Sequence, residues 1–130
     1  RGLLQHYGKG ARVIYNRLDP ATWGDTNGFL QLDATINYAL AESNIALSSK
    51  QLQEDGPYNT YTRPGLPPTP INSPGEAAMM AALSPEDGDW LYYVTVNPDT
   101  GDTRFTDDYD EFLGYKAEFQ QWCADNPDKC

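Results

Sequence analysis

Side chains able to do chemistry gather in two stretches of this 130-residue chain. The first is Gln31-Leu32-Asp33-Ala34-Thr35-Ile36-Asn37-Tyr38. Here Asp33, Thr35 and Tyr38 project near the start of a predicted helix, whose first backbone N–H groups also point outward. The second is Tyr58-Asn59-Thr60-Tyr61, followed by Gly65-Leu66-Pro67-Pro68-Thr69-Pro70-Ile71. Tyrosine rings flanking an amide and a hydroxyl set apolar faces beside hydrogen-bonding groups. A sugar ring offers the matching mixture of C–H faces and hydroxyl edges. Asp, Asn and Thr also satisfy caps and turns routinely, so spacing alone leaves both readings open.

Other chemistries are excluded by what is missing. There is no G-x-S-x-G elbow, no phosphate-cradling P-loop and only one histidine, His6, read as a surface residue. Tyr7-Gly8-Lys9-Gly10 is too short to count as a phosphate loop. Asn97-Pro98-Asp99-Thr100-Gly101-Asp102 lacks the twelve-residue loop and closing Glu of an EF-hand and reads as a turn. The two cysteines, Cys123 and Cys130, cannot make a four-ligand zinc set. They either close a small loop or remain thiols. No cofactor and no metal is expected. The formal net charge is -10, with twelve acids against three bases in residues 84–130. Such a surface repels nucleic acid and anionic membranes.

The elements that must position these residues follow from periodicity. Gly8–Leu18 carries apolar positions at helical spacing and is followed by Pro20. Trp23-Gly24-Asp25 and Asn27-Gly28 are turn chemistry. Residues 33–41 read as a short helix with Asp33 as its cap. Residues 54–74 form a long Pro/Tyr-rich loop, ordered because proline lowers the entropy lost on folding. Ser73, Pro74 and Glu76 suggest a capping box opening a helix over Glu76–Leu83. Trp90–Val96 and Thr103–Phe105 form a hairpin around Pro98-Asp99-Thr100-Gly101. Thr106 then caps a final helix to about Cys123, with Phe112, Tyr115, Phe119 and Trp122 on one stripe. The fold class is α+β: short helices, one β-hairpin and a long ordered loop. Residues 1–123 are expected to form one domain portion and residues 124–130 a tail. The chain starts at Arg1 without a methionine and reads as a piece of a longer protein.

Three blocks stand together: Ala11-Arg12-Val13-Ile14-Tyr15-Asn16-Arg17-Leu18; Leu30-Gln31-Leu32-Asp33-Ala34-Thr35 with Tyr38; and Tyr58-Asn59-Thr60-Tyr61 with Gly65-Leu66-Pro67-Pro68 and Ser73-Pro74-Gly75. In order and spacing they resemble the catalytic domain of the YceG-like family, the endolytic murein transglycosylases of bacteria. The resemblance extends to about Phe112. It departs at Leu32, Thr69-Pro70 and Glu111-Phe112.

The resemblance implies a lysozyme-like/YceG-like domain portion that cleaves the MurNAc–GlcNAc bond of peptidoglycan. A glutamic acid protonates the departing oxygen, and the sugar's own C6 hydroxyl then closes a 1,6-anhydro ring. An internal nucleophile removes the need for a second carboxylate. By the family's register that glutamate falls before Arg1, and Arg1–Tyr7 holds no acid, so residues 1–130 alone are expected to be inactive.

The implied substrate-binding set is Asn16, Arg17, Gln31, Asp33, Thr35, Tyr38, Tyr58, Asn59, Thr60, Tyr61, Gly65, Leu66, Pro67 and Pro68. In it Tyr58, Tyr61, Leu66 and the prolines make an apolar wall, while Gln31, Asn59 and Thr60 meet N-acetyl and hydroxyl groups. Asp33 and Arg17 either touch substrate or tie two helices together. The implied partners are peptidoglycan glycan strands and cell-wall synthesis proteins, outside the cytoplasmic membrane, with any anchor lying outside this sequence. The alternatives are a noncatalytic peptidoglycan-binding module, a glycosidase using Asp33, and a structural domain of a division or elongation assembly.

Overall fold

The structure, a computed structural model, describes residues 6–42, 44 and 46–130. The acid-free segment Arg1–Tyr7 therefore lies outside the described residues for its first five positions. In chain order the elements are α1 (Tyr7–Leu18), a 3₁₀ turn (Gly24–Thr26), α2 (Asp33–Leu40), α3 (Ser49–Gln53), α4 (Glu76–Leu83), β1 (Tyr92–Asn97), β2 (Asp102–Thr106) and α5 (Tyr109–Asp125). This is the α+β mixture expected. The chain forms two compact units. One takes the chain up to Asn16 and again Pro74–Lys129; the other takes Arg17–Ser73 and Cys130.

In the first unit β1 and β2 pair antiparallel, Tyr92 opposite Thr106 and Thr95 opposite Thr103. The register shifts between Thr95 and Asn97, and the Asn97 side chain closes the turn by accepting from the Asp99 and Thr100 amides. Tyr92 and Val96 point inward with Val13 of α1. Phe112, the first residue of the expected aromatic stripe of α5, stacks on Tyr92 of the hairpin at 5.0 Å between ring centres, and further along Phe119 stacks on Trp122. Polar side chains of α1 clamp the following chain by its backbone. Asn16 donates to the carbonyls of Gly88 (3.1 Å) and Trp90 (2.8 Å), Arg12 to that of Glu86 (2.8 Å) and Tyr15 to that of Ala82 (2.7 Å).

Three expected caps are corrected. The N-cap of α5 is Asp108, which accepts from the amides of Asp110 and Glu111. The Thr106 hydroxyl instead accepts from the Asp108 amide and holds the cap residue itself. The N-cap of α4 is Gly75, with no side-chain cap. Pro74 disfavours a helical Ser73, so the helix opens too late for a Ser73 capping box. The N-cap of α2 is Leu32; Asp33 is the first helical residue, where its charge favours the helix dipole.

The second unit contains a helix that the sequence reading passed over, α3. It opens with a complete capping box, Ser48 and Gln51 each bonding the other's backbone amide. Gly28 turns the chain at φ +83°, and a Cβ there would meet the Trp23 ring at 2.9 Å. Among the described residues, the buried apolar side chains of this unit are Leu30 and Ile36; Arg17, Thr26, Thr35, Asn59 and Thr60 are buried as well. Both cysteines are disulfide-bonded, and in a chain with two they bond each other. Among the described residues no helix is long and apolar enough to cross a membrane.

Replacing Asn16 with alanine strips two backbone carbonyls of their donor. Chemical denaturation should show a loss of about 1–3 kcal/mol without a change in the slope against denaturant.

Candidate functional site

Thr60 joins the two polar stretches. Its carbonyl accepts from the Gln31 amide (3.1 Å). Its hydroxyl accepts from the Leu32 amide (2.8 Å) and lies 3.0 Å from the Thr35 hydroxyl. One residue on, Tyr61 donates its phenol to the Asp33 carboxylate at 2.6 Å. The start of α2 and the two residues before it are thereby fastened to two adjacent loop residues, Thr60 and Tyr61. Gln31, held between buried Leu30 and this clasp, takes φ +53° with its side chain exposed. Such a conformation costs a non-glycine residue on the order of 1 kcal/mol, and it persists here because both neighbours are fixed.

The loop carries its own frame. Asn59 donates to the carbonyls of Leu52 (3.0 Å) and Glu54 (2.8 Å) and accepts from the Tyr61 amide (2.8 Å). Arg63 forks onto Asp55 with two bonds of 3.1 Å, and Thr62 adds a third donor at 2.8 Å. These donors, Arg63 first, hold the Asp55 carboxyl down at about 2. Gly65, at φ +81°, donates its amide to the Gly28 carbonyl (2.8 Å) and turns the chain into Leu66-Pro67-Pro68.

The predicted residues divide clearly. Tyr38 and Tyr58 pack with ring centres 5.1 Å apart and planes tilted by 51°, Tyr38 being 46% exposed. The Tyr58 hydroxyl lies 2.7 Å from that of Thr69, and Leu66 is 69% exposed. Gln31 and Pro68 are exposed; Asp33, Tyr61, Gly65 and Pro67 are partly so. All of these sit in the second unit.

Arg17, Thr35, Asn59 and Thr60 sit there too but are buried, at 5% exposure or less, with internal partners. Arg17 donates to the Leu30 carbonyl. The hydrogen bonds expected from Asn59 and Thr60 to a sugar go instead to the protein's own backbone. Asn16 belongs to the first unit, where it is a backbone clamp. Of the two roles left open for Asp33 and Arg17, each makes a structural bond, but to Tyr61 and Leu30 respectively. The sequence reading missed the Asp55–Arg63 fork, which has no periodic signature, and α3, whose Ser48-Ser49-Lys50-Gln51 box was legible.

Among the described residues no group of three or more His, Cys, Asp or Glu could hold a metal ion. The chemistry these residues of the second unit offer is recognition: two tyrosine rings, a projecting amide, a phenol–carboxylate pair and an apolar Leu-Pro-Pro segment.

The YceG-like family model matches residues 4–118. The chain belongs to the YceG-like family. It is 38% identical over 96 residues to the protein of Bacillus subtilis (strain 168) named endolytic murein transglycosylase, an alignment covering 74% of this chain and 24% of that one. It also resembles the crystal structure of a YceG-like protein of Listeria monocytogenes at a TM-score of 0.68 and 41% identity. That likeness covers 80% of this chain and 32% of the other. The chain thus spans about a quarter to a third of the relatives it matches.

Two outcomes follow from the bonds described. Thr60→Val removes the hydroxyl shared by Leu32 and Thr35, and thermal or denaturant unfolding should register a loss of about 1–3 kcal/mol. The Asp55 carboxyl is lowered from 3.8 to about 2, so its stabilising contribution is complete above pH 4 and disappears as pH falls toward 2. Melting curves of the protein and of Asp55→Asn should differ above pH 4 and converge near pH 2.

Proposed function

We propose that this chain is the substrate-binding portion of a peptidoglycan lytic transglycosylase domain. The parent protein cleaves MurNAc–GlcNAc β-1,4 bonds and leaves 1,6-anhydro-MurNAc ends. The reading is carried by one conjunction: membership of the YceG-like family over residues 4–118, with exposed Tyr38 and Gln31 and half-buried Tyr58 on one unit.

In this reading the sugar's C–H face packs on Tyr38 and Tyr58, and Gln31 meets an N-acetyl or hydroxyl group. The Tyr61–Asp33 pair receives a further hydroxyl, and Gly65-Leu66-Pro67-Pro68 forms the apolar edge. Arg17, Thr35, Asn59 and Thr60 set the shape of this surface from within. The proton-donating glutamate comes from outside residues 1–130. It gives its proton to the departing glycosidic oxygen, then takes the proton of the C6 hydroxyl as that oxygen bonds C1. An apolar, water-poor wall keeps such an acid protonated near neutral pH, because burial disfavours the carboxylate. The parent acts on glycan strands outside the cytoplasmic membrane, alongside cell-wall synthesis proteins, and residues 1–130 alone bind glycan without cutting it.

Digestion of purified sacculi by the longer product of the parent gene and by residues 1–130 tests this. Anhydro-ended muropeptides from the longer protein, and binding without release from the short one, are the expected results. Reducing ends that vanish in Asp33→Asn would instead identify a hydrolase. Binding by both forms with no cleavage by either would leave a noncatalytic peptidoglycan module. Gln31→Gly separates fold from function. Glycine accepts φ +53° freely, so stability should change by less than about 1 kcal/mol while retention on insoluble peptidoglycan falls severalfold.

A further inference from the structure

The second unit holds a slot to which the glycan reading gives no role. Its volume is about 160 Å³, below the range for a whole small ligand and suited to a single side group. Ile36, Ala39 and Leu40 of α2 give it an apolar wall, and Gln51 of α3 and loop residues 54–59 complete it. Tyr58 belongs to this lining and also packs on Tyr38, so the slot shares a residue with the proposed glycan surface.

The polar side chains of the lining are committed, with one exception. Asn59 donates to the carbonyls of Leu52 and Glu54, and the Gln51 side-chain oxygen accepts from the Ser48 amide. Asp55 is neutralised by Arg63 and also accepts from Thr62, and the Tyr58 hydroxyl meets that of Thr69. Among the described residues the Glu54 carboxylate has neither a hydrogen bond nor an ion pair. A second negative source lies across the slot: Ala39 and Leu40 end α2, and the C-terminal end of a helix carries partial negative charge. An apolar wall beside an uncompensated carboxylate and a helix C-terminus suits an aliphatic chain that ends in an ammonium group. A neutral acetamido or hydroxyl group would leave that negative charge unanswered.

We propose that this slot takes the amino-terminated side chain of the diamino acid in a glycan-borne stem peptide, its methylenes along Ile36, Ala39 and Leu40 and its ammonium at Glu54. Cross-linking acylates that amine and removes its charge, so the slot distinguishes a free side chain from a cross-linked one. The proposal rests on the peptidoglycan reading above and adds a peptide subsite to it.

Amide NMR titration of the 130-residue chain with three probes tests this. They are a disaccharide tetrapeptide with lysine as its diamino acid, the same compound acetylated on that side-chain amine, and the peptide-free GlcNAc–MurNAc disaccharide. The free amine should shift Ala39, Leu40 and Gly56 and bind about fivefold more tightly than its acetylated form, the scale of one exposed ion pair beside a helix terminus. Glu54→Gln should remove most of this preference at an unchanged melting temperature, because the side chain has no internal partner to lose. Ala39→Leu narrows the slot and should abolish the shifts of Leu40 and Gly56. Equal affinity for the free and acetylated compounds, a preference unchanged in Glu54→Gln, or shifts that survive Ala39→Leu would overturn the proposal. The peptide-free disaccharide reports on the glycan surface through Gln31 and Tyr38. Silence there with the amine preference intact would sink the glycan reading alone, and the reverse pattern would sink the slot alone.

Discussion

A threonine hydroxyl with three neighbours governs the second unit. Thr60 is 2% exposed and faces the Leu32 amide, the Leu32 carbonyl and the Thr35 hydroxyl. Among the described residues, the buried apolar side chains Leu30 and Ile36 are outnumbered by buried polar ones, so buried polar groups carry much of the specification. Each must be satisfied, since an unpaired polar group in the interior costs more than a formed hydrogen bond returns. Every fully enclosed side-chain nitrogen and oxygen among the described residues has a partner. A unit built this way tolerates few changes inside, and it holds its exposed groups in one arrangement.

That constraint explains the division of labour on the candidate surface. The residues with the strongest hydrogen-bonding capacity, Asn59 and Thr60, are engaged by the backbone. What remains for a ligand is presented by neighbours that they position. Tyr61 reaches Asp33 because Thr60 has already fixed the loop against α2. Gln31 keeps its left-handed backbone because its amide is tied to Thr60 on one side and buried Leu30 anchors it on the other. Preorganisation of this kind lowers the ordering cost of binding a flexible glycan.

The first unit follows another rule. Its core is the aromatic contact of α5 with the hairpin, centred on Tyr92 and Phe112. Its outer segment, residues 84–90, has no regular structure and is held by α1 side chains reaching backbone carbonyls. The Lys129–Asp99 pair at 2.7 Å ties the end of the chain to the hairpin turn, raising the Lys129 ammonium above its usual range. After Glu76 the α4 helix is wholly apolar, yet it buries none of its residues. Its alanines leave open a cleft beside α1 and the hairpin that bulkier side chains would fill.

Periodicity and turn chemistry determined most elements themselves: α1, α2, the hairpin and the aromatic face of α5 were legible because those signals are local and repeat every two or 3.6 residues, while α4 was read from its Pro74 start and Ala/Met content. The motif blocks likewise pointed to the YceG-like family, whose model matches residues 4–118. Caps were misread where two polar residues competed, as with Thr106 and Asp108, since a shift of one or two residues decides which side chain meets the free amides. The sequence could name Asn16, Arg17, Thr35, Asn59 and Thr60 as polar but not as buried. Whether an amide serves a ligand or a carbonyl seventy residues away depends on which backbone approaches it, and only the tertiary fold brings that backbone near.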